Sequence, residues 1–540
     1  MTTKRMNKKL IAFILLAIFC LPSILPLFHP GFFQSDDGEW MIIRFSAFFQ
    51  ALSDGQFPVR FLGRLNHEYG YPVANFLYPG FMYLGVPIHI LGIGFVDTIK
   101  IIFGFSMIGS AIFCYLWLSR FFDKLSSLVG ALFYLYTPYH LFDLYKRGSI
   151  GEVLSLAVLP FILWQIERRS LFWSAISIAF LIISHNTLAV LFLPIIIIYK
   201  LIDLLLKKNK KYVILNTLYL ILISLGLSAF FWIPAFLELQ YTIFSQTQIS
   251  EWGSYFADIN LIGFSTIFVL SLTAVFMVSS IIKVKKHRLT LLLLIVGLVS
   301  VFFSSSLSTT LWNILPVSFI QFPFRFLSLS IVSVSFLIAC VIYVSPSKLK
   351  IPIAVLSLII LVLSAKPFLT PSEFFDKGEG FYSTNMDTTT VKNEYMPKWV
   401  EQKPIERFKE KVEIVGGAGT VSNVYYNSKM ISFNVSSSDN TKVRINTIYY
   451  TGWKALAYAP SCHPERSEGS LDCEGRELTI DYQNEKGLME LEVPKGNNKV
   501  KLNFSETPLR LFADLVSLFS FIALIFLVKT HLKLFRGGKS

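Results

Sequence analysis

Charged residues are scarce in this sequence: Asp, Glu, Lys and Arg make up 16% of its 540 residues, against about 25% in a typical soluble domain. Where they are missing, apolar runs of roughly 20 residues recur, each long enough to cross about 30 Å of hydrocarbon as a helix. With a mean hydropathy of +0.56, a soluble globular fold is excluded and the chain reads as a polytopic α-helical membrane protein. Its eight histidines are scattered, with no His-x-His or His-Glu-x-x-His set for a metal. The glycines form no Walker or Rossmann pattern, so ATP-driven transport and nicotinamide chemistry are unsupported. Acids are rare inside the apolar runs, which argues against a proton-coupled transporter. Of five cysteines, Cys20, Cys114 and Cys340 lie in apolar runs and read as small core residues. Cys462 and Cys473 fall in a polar segment where a disulfide is chemically permitted.

What is present is positive charge, net +14, and its distribution explains it. Lys and Arg concentrate in alternate short loops: Arg120 and Lys124, Arg168 and Arg169, "KKNKK" at 207–211, "KVKKHR" at 283–288, Lys348 and Lys350, and the tail from Lys529. That alternation is the positive-inside pattern of a multi-pass plasma-membrane protein and predicts both termini in the cytoplasm. It requires no nucleic-acid partner. Twelve spans are expected, at 10–28, 98–119, 125–142, 151–166, 171–186, 188–206, 212–234, 260–282, 289–304, 326–344, 351–368 and 508–528. The first follows Lys4, Arg5, Lys8 and Lys9 like a signal peptide, but no small-residue cleavage site follows it, so it is kept as a span. The stretch 76–95 is apolar but interrupted by Pro79, Pro87 and glycines, and reads as a re-entrant or interfacial helix.

Three units follow: a transmembrane domain over 1–368 with a large first outer loop (29–97), an extracytoplasmic domain over 369–507, and a final span with a basic tail over 508–540. The middle unit contains alternating segments, "KVEIV", "KMISFNV", "KVRINTIYY", "ELTIDY", "GLMELEV" and "KVKLNF", which predict a small β-sandwich. Residues 460–473, "PSCHPERSEGSLDC", are polar and lack alternation. They separate "GWKALAYA" from "EGRELTIDY", which would otherwise form a hairpin, and read as an insertion whose Cys462, His463 and Cys473 bind nothing.

The candidate chemistry begins at "GFFQSDDGEW" (31–40), where Asp36, Asp37 and Glu39 crowd beside the first span. On a helix starting near Ser35, Asp37, Trp40, Met41 and Arg44 share a face. A carboxylate and a guanidinium on one surface suit glycosyl transfer from a lipid phosphate: the first takes the acceptor hydroxyl's proton, while cations or a metal stabilise the departing phosphate. Asp36 and Glu39 equally match an Asp-x-x-Glu capping box. A second polar group, "YHLFDLYKRGSIGEV", holds Asp143, Lys146, Arg147 and Glu152, with two cations on the side where they are otherwise avoided. His185 in "SHN" ends the fifth span, and Arg325 in "QFPFRF" opens the tenth. Their common side predicts that Asp37, Arg44, Arg147 and Glu152 line one outward-facing cavity. Tyr395 and Trp399 in "DTTTVKNEYMPKWV" (387–400) could stack on sugar faces or seat the β-domain; either use places this stretch near Arg325 and the first loop.

Taken together, "SDDGEW", "DGQFPVRF", "YGYPVANFLYPGFMYLG", "RGSIGEVLSLAVLPF", "SHNTLA", "QFPFRFL", "DTTTVKNEYMPKWV" and "YYTGWKA" resemble a bacterial family of membrane proteins labelled 6-pyruvoyl-tetrahydropterin-synthase-related and YfhO-like in layout. The synthase's zinc-binding histidine pattern is missing. The layout is also similar to the GT-C superfamily of polyprenyl-phosphate-dependent glycosyltransferases, with an acidic motif in the first outer loop and an acid after the third span. The resemblance implies Asp37 or Asp36 as catalytic carboxylate and Glu152 as a second acid, although no Asp-x-Asp is present. It implies membrane lipid, a polyprenyl-phosphate sugar donor and a cell-envelope acceptor as partners, and transfer on the outer face. In that reading Glu39 neighbours the base, and Arg44, Lys146, Arg147, His185, Arg325, Tyr395 and Trp399 contact substrate. The acidic motif could hold a divalent cation; no other cofactor is indicated. The alternatives are a transporter or flippase of lipid-linked glycans and a non-catalytic envelope scaffold.

Overall fold

A computed structural model describes residues 14–202, 210–247, 252–278, 284–315, 318–387, 393–459 and 475–536. Five helices are long and apolar enough to cross a membrane: Phe95–Leu118, Ile150–Glu167, Pro323–Val344, Ser347–Phe368 and Pro508–Leu527. Three bent pairs also qualify: Val213–Leu227 with Ala229–Tyr241 (72°), Gly253–Ile262 with Phe264–Val278 (70°), and Arg288–Ser304 with Ser306–Ile314 (82°). Two of the breaks have visible backbone causes. Gly263 takes a left-handed φ of 83°, and Ser305 is extended at ψ 158°. The described residues therefore carry five to eight spans of full length. The other expected spans fall on shorter helices: Ile14–Phe28, Lys124–Tyr136 followed by Pro138–Phe142, Leu171–Ser184 and Asn186–Leu201.

Pro323–Val344 is the axis of the bundle. Every residue from Leu327 to Ile342 is buried, and Ser328, Ser330, Ser333, Ser335 and Ala339 keep its surface narrow. A Cβ on Gly130 of Lys124–Tyr136 would collide with the Ser335 carbonyl and Ala339. Lipid tails are as apolar as leucine, so such close backbone approach, not hydrophobic burial, holds helices together there. Gly80–Ile90, an apolar helix with Pro87 inside it, has 11 residues and is too short to span.

The β-rich part forms two antiparallel sheets. Its strands are β3 (Val412–Gly416), β4 (Gly419–Tyr426), β5 (Met430–Ser437), β6 (Thr441–Ile448), β7 (Trp453–Tyr458), β8 (Arg476–Leu478), β9 (Leu488–Val493) and β10 (Gly496–Phe504), after a short pair β1 (Phe32–Phe33) and β2 (Phe374–Phe375). One sheet runs β4-β5-β10-β7-β8 and the other β3-β6-β9. Phe433, Val435, Val500 and Leu502 of the first and Val443, Ile445, Leu491 and Val493 of the second are buried in one apolar cluster. β7 and β8 pair, Ala455 with Leu478 and Ala457 with Arg476, as the hairpin reading requires; the presumed insertion itself lies outside the described residues, as do Cys462, His463 and Cys473. β4 was not foreseen as a strand. It is an edge strand, largely exposed on both faces, so it carries no apolar alternation to read.

The first loop is bolted onto residues 369–507, through the β1–β2 pair and through the two sheets. Phe32 pairs with Phe375, the Gln56 amide donates to the Ser428 carbonyl at 2.6 Å, and Ile448 N–H donates to the Tyr69 carbonyl at 2.8 Å. A buried ion pair closes the far side: Arg510, at the start of the last helix, clasps Glu238 through Nε–Oε1 at 2.9 Å and Nη2–Oε2 at 2.7 Å. Tyr450 and Asn75 donate to the same carboxylate at 2.9 and 2.8 Å.

Candidate functional site

The acidic segment does start a helix, but three residues later than the sequence suggests. The helix is Gly38–Ser53, its N-cap is Asp37, and the Asp37 side chain makes no cap bond. Ser35 Oγ accepts from Gly38 N–H instead, at 3.3 Å. The Asp36–Glu39 capping box therefore does not form, because all three acids are drawn to cations elsewhere. Asp37 Oδ2 lies 2.9 Å from Arg147 Nη2, Asp36 Oδ1 3.7 Å from Lys146 Nζ, and Glu39 Oε1 2.5 Å from Lys377 Nζ.

The backbone sets this meeting up. Asp143–Arg147 is a π-turn that ends on Gly148 in the left-handed region, φ 62°, where glycine carries no Cβ penalty. A Cβ at Gly148 would strike Ser35 and Gly38, so glycine also permits the two chains to touch. They then exchange backbone bonds: Asp36 N–H to the Lys146 carbonyl at 3.0 Å and Asp37 N–H to the Arg147 carbonyl at 2.8 Å.

Arg147 carries the contact inward. Its Nη1 lies 2.9 Å from Glu152 Oε1, and Arg325 Nε lies 2.9 Å from the same oxygen. Tyr139 Oη donates to Glu152 Oε2 at 3.0 Å. His185 Nε2 stands 3.7 Å from Oε1, and its Nδ1 accepts from Leu188 N–H at 3.2 Å. That acceptor role puts the ring proton on Nε2, facing the carboxylate. The break between Leu171–Ser184 and Asn186–Leu201 is His185 itself, extended at φ −164° and capping the second helix. Arg325 is held by the Ile320 carbonyl and Gln321 Oε1, both at 2.8 Å, in a turn where Gln321 sits at φ 66°. The Arg147 guanidinium lies 5.1 and 5.2 Å from the ring centres of Phe322 and Phe324, within cation–π range.

Exposure separates the members. Glu152 and Asp143 are fully buried, and Arg44, Arg147 and Arg325 nearly so, whereas the Asp37 side chain is 36% exposed. The expectation that Asp37, Arg44, Arg147 and Glu152 line an open cavity is therefore corrected. Asp37, Arg147 and Glu152 form one chain of contacts packed shut at its inner end and open only at Asp37. Glu152 cannot meet a substrate as a second catalytic acid, because its oxygens are enclosed by two guanidiniums, a phenol and an imidazole. Arg44 lies on the Asp37 helix with Nη1 3.8 Å from Met41 Sδ, on the face expected.

One further acid of this site, Asp143, was named in the sequence only as part of the second polar group, and another, Glu394, escaped it. Burial and then the Glu152 charge push the Asp143 carboxyl well above the ordinary range, opposed by the Arg147 charge. Glu394 is raised by burial, opposed by the nearby Arg44 charge and reinforced by Asp37; only "KNEYMPKW" itself signalled that region. The neighbouring Tyr395 lies near the first loop as expected, but as packing. It is 9% exposed, stacked on Phe76 and Phe244 at 5.2 and 5.8 Å, and its N–H donates to Tyr71 Oη. Trp399 packs on Tyr449 and Tyr482 and donates Nε1–H to the Tyr449 carbonyl at 3.0 Å. Among the described residues no group of three or more His, Cys, Asp or Glu side chains is placed to hold a metal. Asp36, Asp37 and Glu39 each face a cation of the protein.

A family model described as a 6-pyruvoyl-tetrahydropterin synthase related domain, membrane protein, matches residues 77–372, more than half of the chain. It takes in Arg147, Glu152, His185 and Arg325, and stops short of Asp37. Among curated proteins none matches the chain. Two solved structures are similar at 16% identity. The arabinofuranosyltransferase AftD from Mycobacteria aligns with TM-score 0.47 over 68% of this chain and 28% of that one. The Archaeoglobus fulgidus oligosaccharyltransferase, solved with zinc and sulfate, aligns with TM-score 0.41 over 71% and 58%. The chain thus spans less than two thirds of either.

Proposed function

The chain belongs to the 6-pyruvoyl-tetrahydropterin-synthase-related family of membrane proteins, and on that premise we propose that it is a membrane glycosyltransferase acting at the outer face, with Asp37 as its base. The donor is a polyprenyl-phosphate sugar and the acceptor a hydroxyl of a cell-envelope glycan, lipid or protein. The observation that carries this reading is the half-open ion chain. Arg147 engages Asp37 Oδ2 at 2.9 Å, while Oδ1 has no hydrogen-bond partner among the described residues on a side chain that reaches solvent. A carboxylate fixed through one oxygen and free at the other can take a proton from a bound hydroxyl.

In the step, the acceptor oxygen gives its proton to Asp37 Oδ1 and bonds to the anomeric carbon as the anomeric carbon–oxygen bond to phosphate breaks. The electron pair leaves with the polyprenyl phosphate. Lys146, 67% exposed and beside Asp36, supplies positive charge for that leaving group, whereas Arg44 is buried and does not reach it. Arg147, Glu152, Arg325 and His185 are positioning residues: they hold Asp37 and touch no substrate.

The test is sugar transfer by the purified full chain in lipid, with polyprenyl-phosphate sugars as donors. Asp37→Asn should lower turnover about 10²–10⁴-fold with the amount of folded protein unchanged. Undiminished transfer would sink the assignment. A flippase or scaffold would use the same cations without a base, so donor translocation or glycan binding that survives Asp37→Asn in the absence of any transfer would favour those readings.

A further inference from the structure

A cavity of about 750 Å³ lies between the Gly38–Ser53 helix and the five-stranded sheet, within the range of about 300–1,000 Å³ typical of small-molecule sites. Phe49, Gln50 and Ser53 line it from the helix; Tyr425, Tyr426 and Asn427 line it from the end of β4. A bulge precedes those tyrosines, with the pairing slipping between Ser422 and Tyr425 around Asn423 at φ 54°, and such bulges re-aim the side chains that follow. Trp453 and Thr447 complete the wall from the sheets.

The lining chemistry narrows the ligand. Its aliphatic side chains are Ile431 and Met386 alone, which does not suit a lipid tail. Its charges are engaged within the protein. Arg64 donates to Ser46 Oγ and to the carbonyls of Tyr382 and Ser383, and Lys411 to the carbonyls of Glu68 and Asn446. Asp54 accepts from Ser428 N–H, and Glu68 faces Arg407 and Tyr426. Each lining cation is thus already held by carbonyl or hydroxyl oxygens of the protein. What remains is aromatic surface, with Tyr425 54% exposed, and neutral polar groups. Three lining residues also carry buried side-chain atoms with no hydrogen-bond partner: Trp453 Nε1, Thr447 Oγ1 and Arg64 Nε.

We propose that this cavity is a glycan-binding site for an uncharged oligosaccharide, whose C–H faces stack on Tyr425 and Tyr426 and whose hydroxyls meet Gln50, Asn427 and the polar wall. It is separate from the Asp37 centre yet built on the same helix. Ser46 to Ser53 lie about 14–24 Å beyond Asp37 at about 1.5 Å per residue, so the cavity would grip a glycan remote from its reacting end. That use as an acceptor grip rests on the transfer reading; the binding itself does not.

The test titrates the full chain in detergent with neutral hexasaccharides of α-1,4-glucose, β-1,4-glucose, mannose and galactose by calorimetry. At least one should bind saturably at about millimolar Kd or tighter. Tyr425→Ala and Ser53→Trp, both at exposed positions, should each weaken it about tenfold, and Asp37→Asn should leave it unchanged. Failure of all four sugars to bind, or wild-type affinity in both variants, would overturn the site. Saturable binding weakened by both variants, with no sugar transfer by the wild type, would overturn the transfer reading and leave the cavity standing. Transfer that proceeds normally in both variants with no hexasaccharide binding would do the reverse.

Discussion

Two buried Arg–Glu clusters can be set side by side in this protein. Around Glu238, Arg510 closes a two-point clasp with 0% and 3% side-chain exposure, and Tyr450 and Asn75 both donate to its Oε2. Every end of that network is inside the protein, and it ties Ala229–Tyr241, the last helix and the β-rich part together. Around Glu152 the residue types and burial are alike, but Arg147 passes the contact on to an acid that reaches solvent. Charge burial alone therefore marks neither cluster as functional, since structural ion networks form in the same way. The open end at Asp37 is what distinguishes them.

The comparison can be broken most sharply at the two carboxylates. Asp37→Asn should cost about 10²–10⁴-fold in transfer with little change in thermal unfolding. Glu238→Gln should do the opposite, destabilising by about 3–5 kcal/mol because Arg510 is left as an unpaired buried cation, while the folded fraction keeps its turnover. Identical losses of stability and activity from both substitutions would erase the distinction.

Glu152→Gln should combine the two effects, with a similar loss of stability and, in the molecules that stay folded, slower transfer through a misplaced Asp37. A thermal midpoint and a per-folded-molecule rate measure these separately. Wild-type turnover in the folded fraction would remove Glu152 from the positioning network.

Replacing a whole cluster sharpens the contrast. Glu238→Leu with Arg510→Met should be close to neutral, or stabilising by about 1–4 kcal/mol, since an apolar pair carries no charge desolvation. The analogous Glu152→Leu with Arg147→Met should restore stability to some degree but not transfer, since Asp37 loses its partner.

A smaller effect concerns Lys411, where the first loop meets the sheets. Burial pushes its ammonium down to about 7. Between that pH and the ordinary lysine value of 10.5, the unfolded chain binds the proton that the folded chain has lost. Stability should therefore rise with pH above about 7, at no more than about 1.4 kcal/mol per pH unit, and Lys411→Met should flatten the slope. Smallest of all, deleting residues 462–473 should leave the thermal midpoint unchanged. β7 and β8 already pair on either side of it, and short hairpin loops close readily.

The legible part of this molecule was local. Apolar runs named the segments of all eight full-length or bent spans, and alternation named six strands. Edge strand β4 was invisible because both of its faces are exposed. The acids at 36–39 stood out by density, but their capping-box interpretation failed. The cations that won them sit 110 residues away at Lys146 and Arg147 and even further off at Lys377. Tyr395 was visible as an aromatic near the site; its stacking on Phe76 and Phe244 was not.

Sequence alone determined that this is a multi-span membrane protein with a β-rich segment, since hydrocarbon thickness and strand pleat impose periods that any stretch of residues displays. Tertiary structure decided which charges meet. An Asp, an Arg and a Glu have no preferred partner along a chain. Their pairing follows from which groups folding removes from water together, and here that made Glu152 a buried support and left Asp37 at the surface.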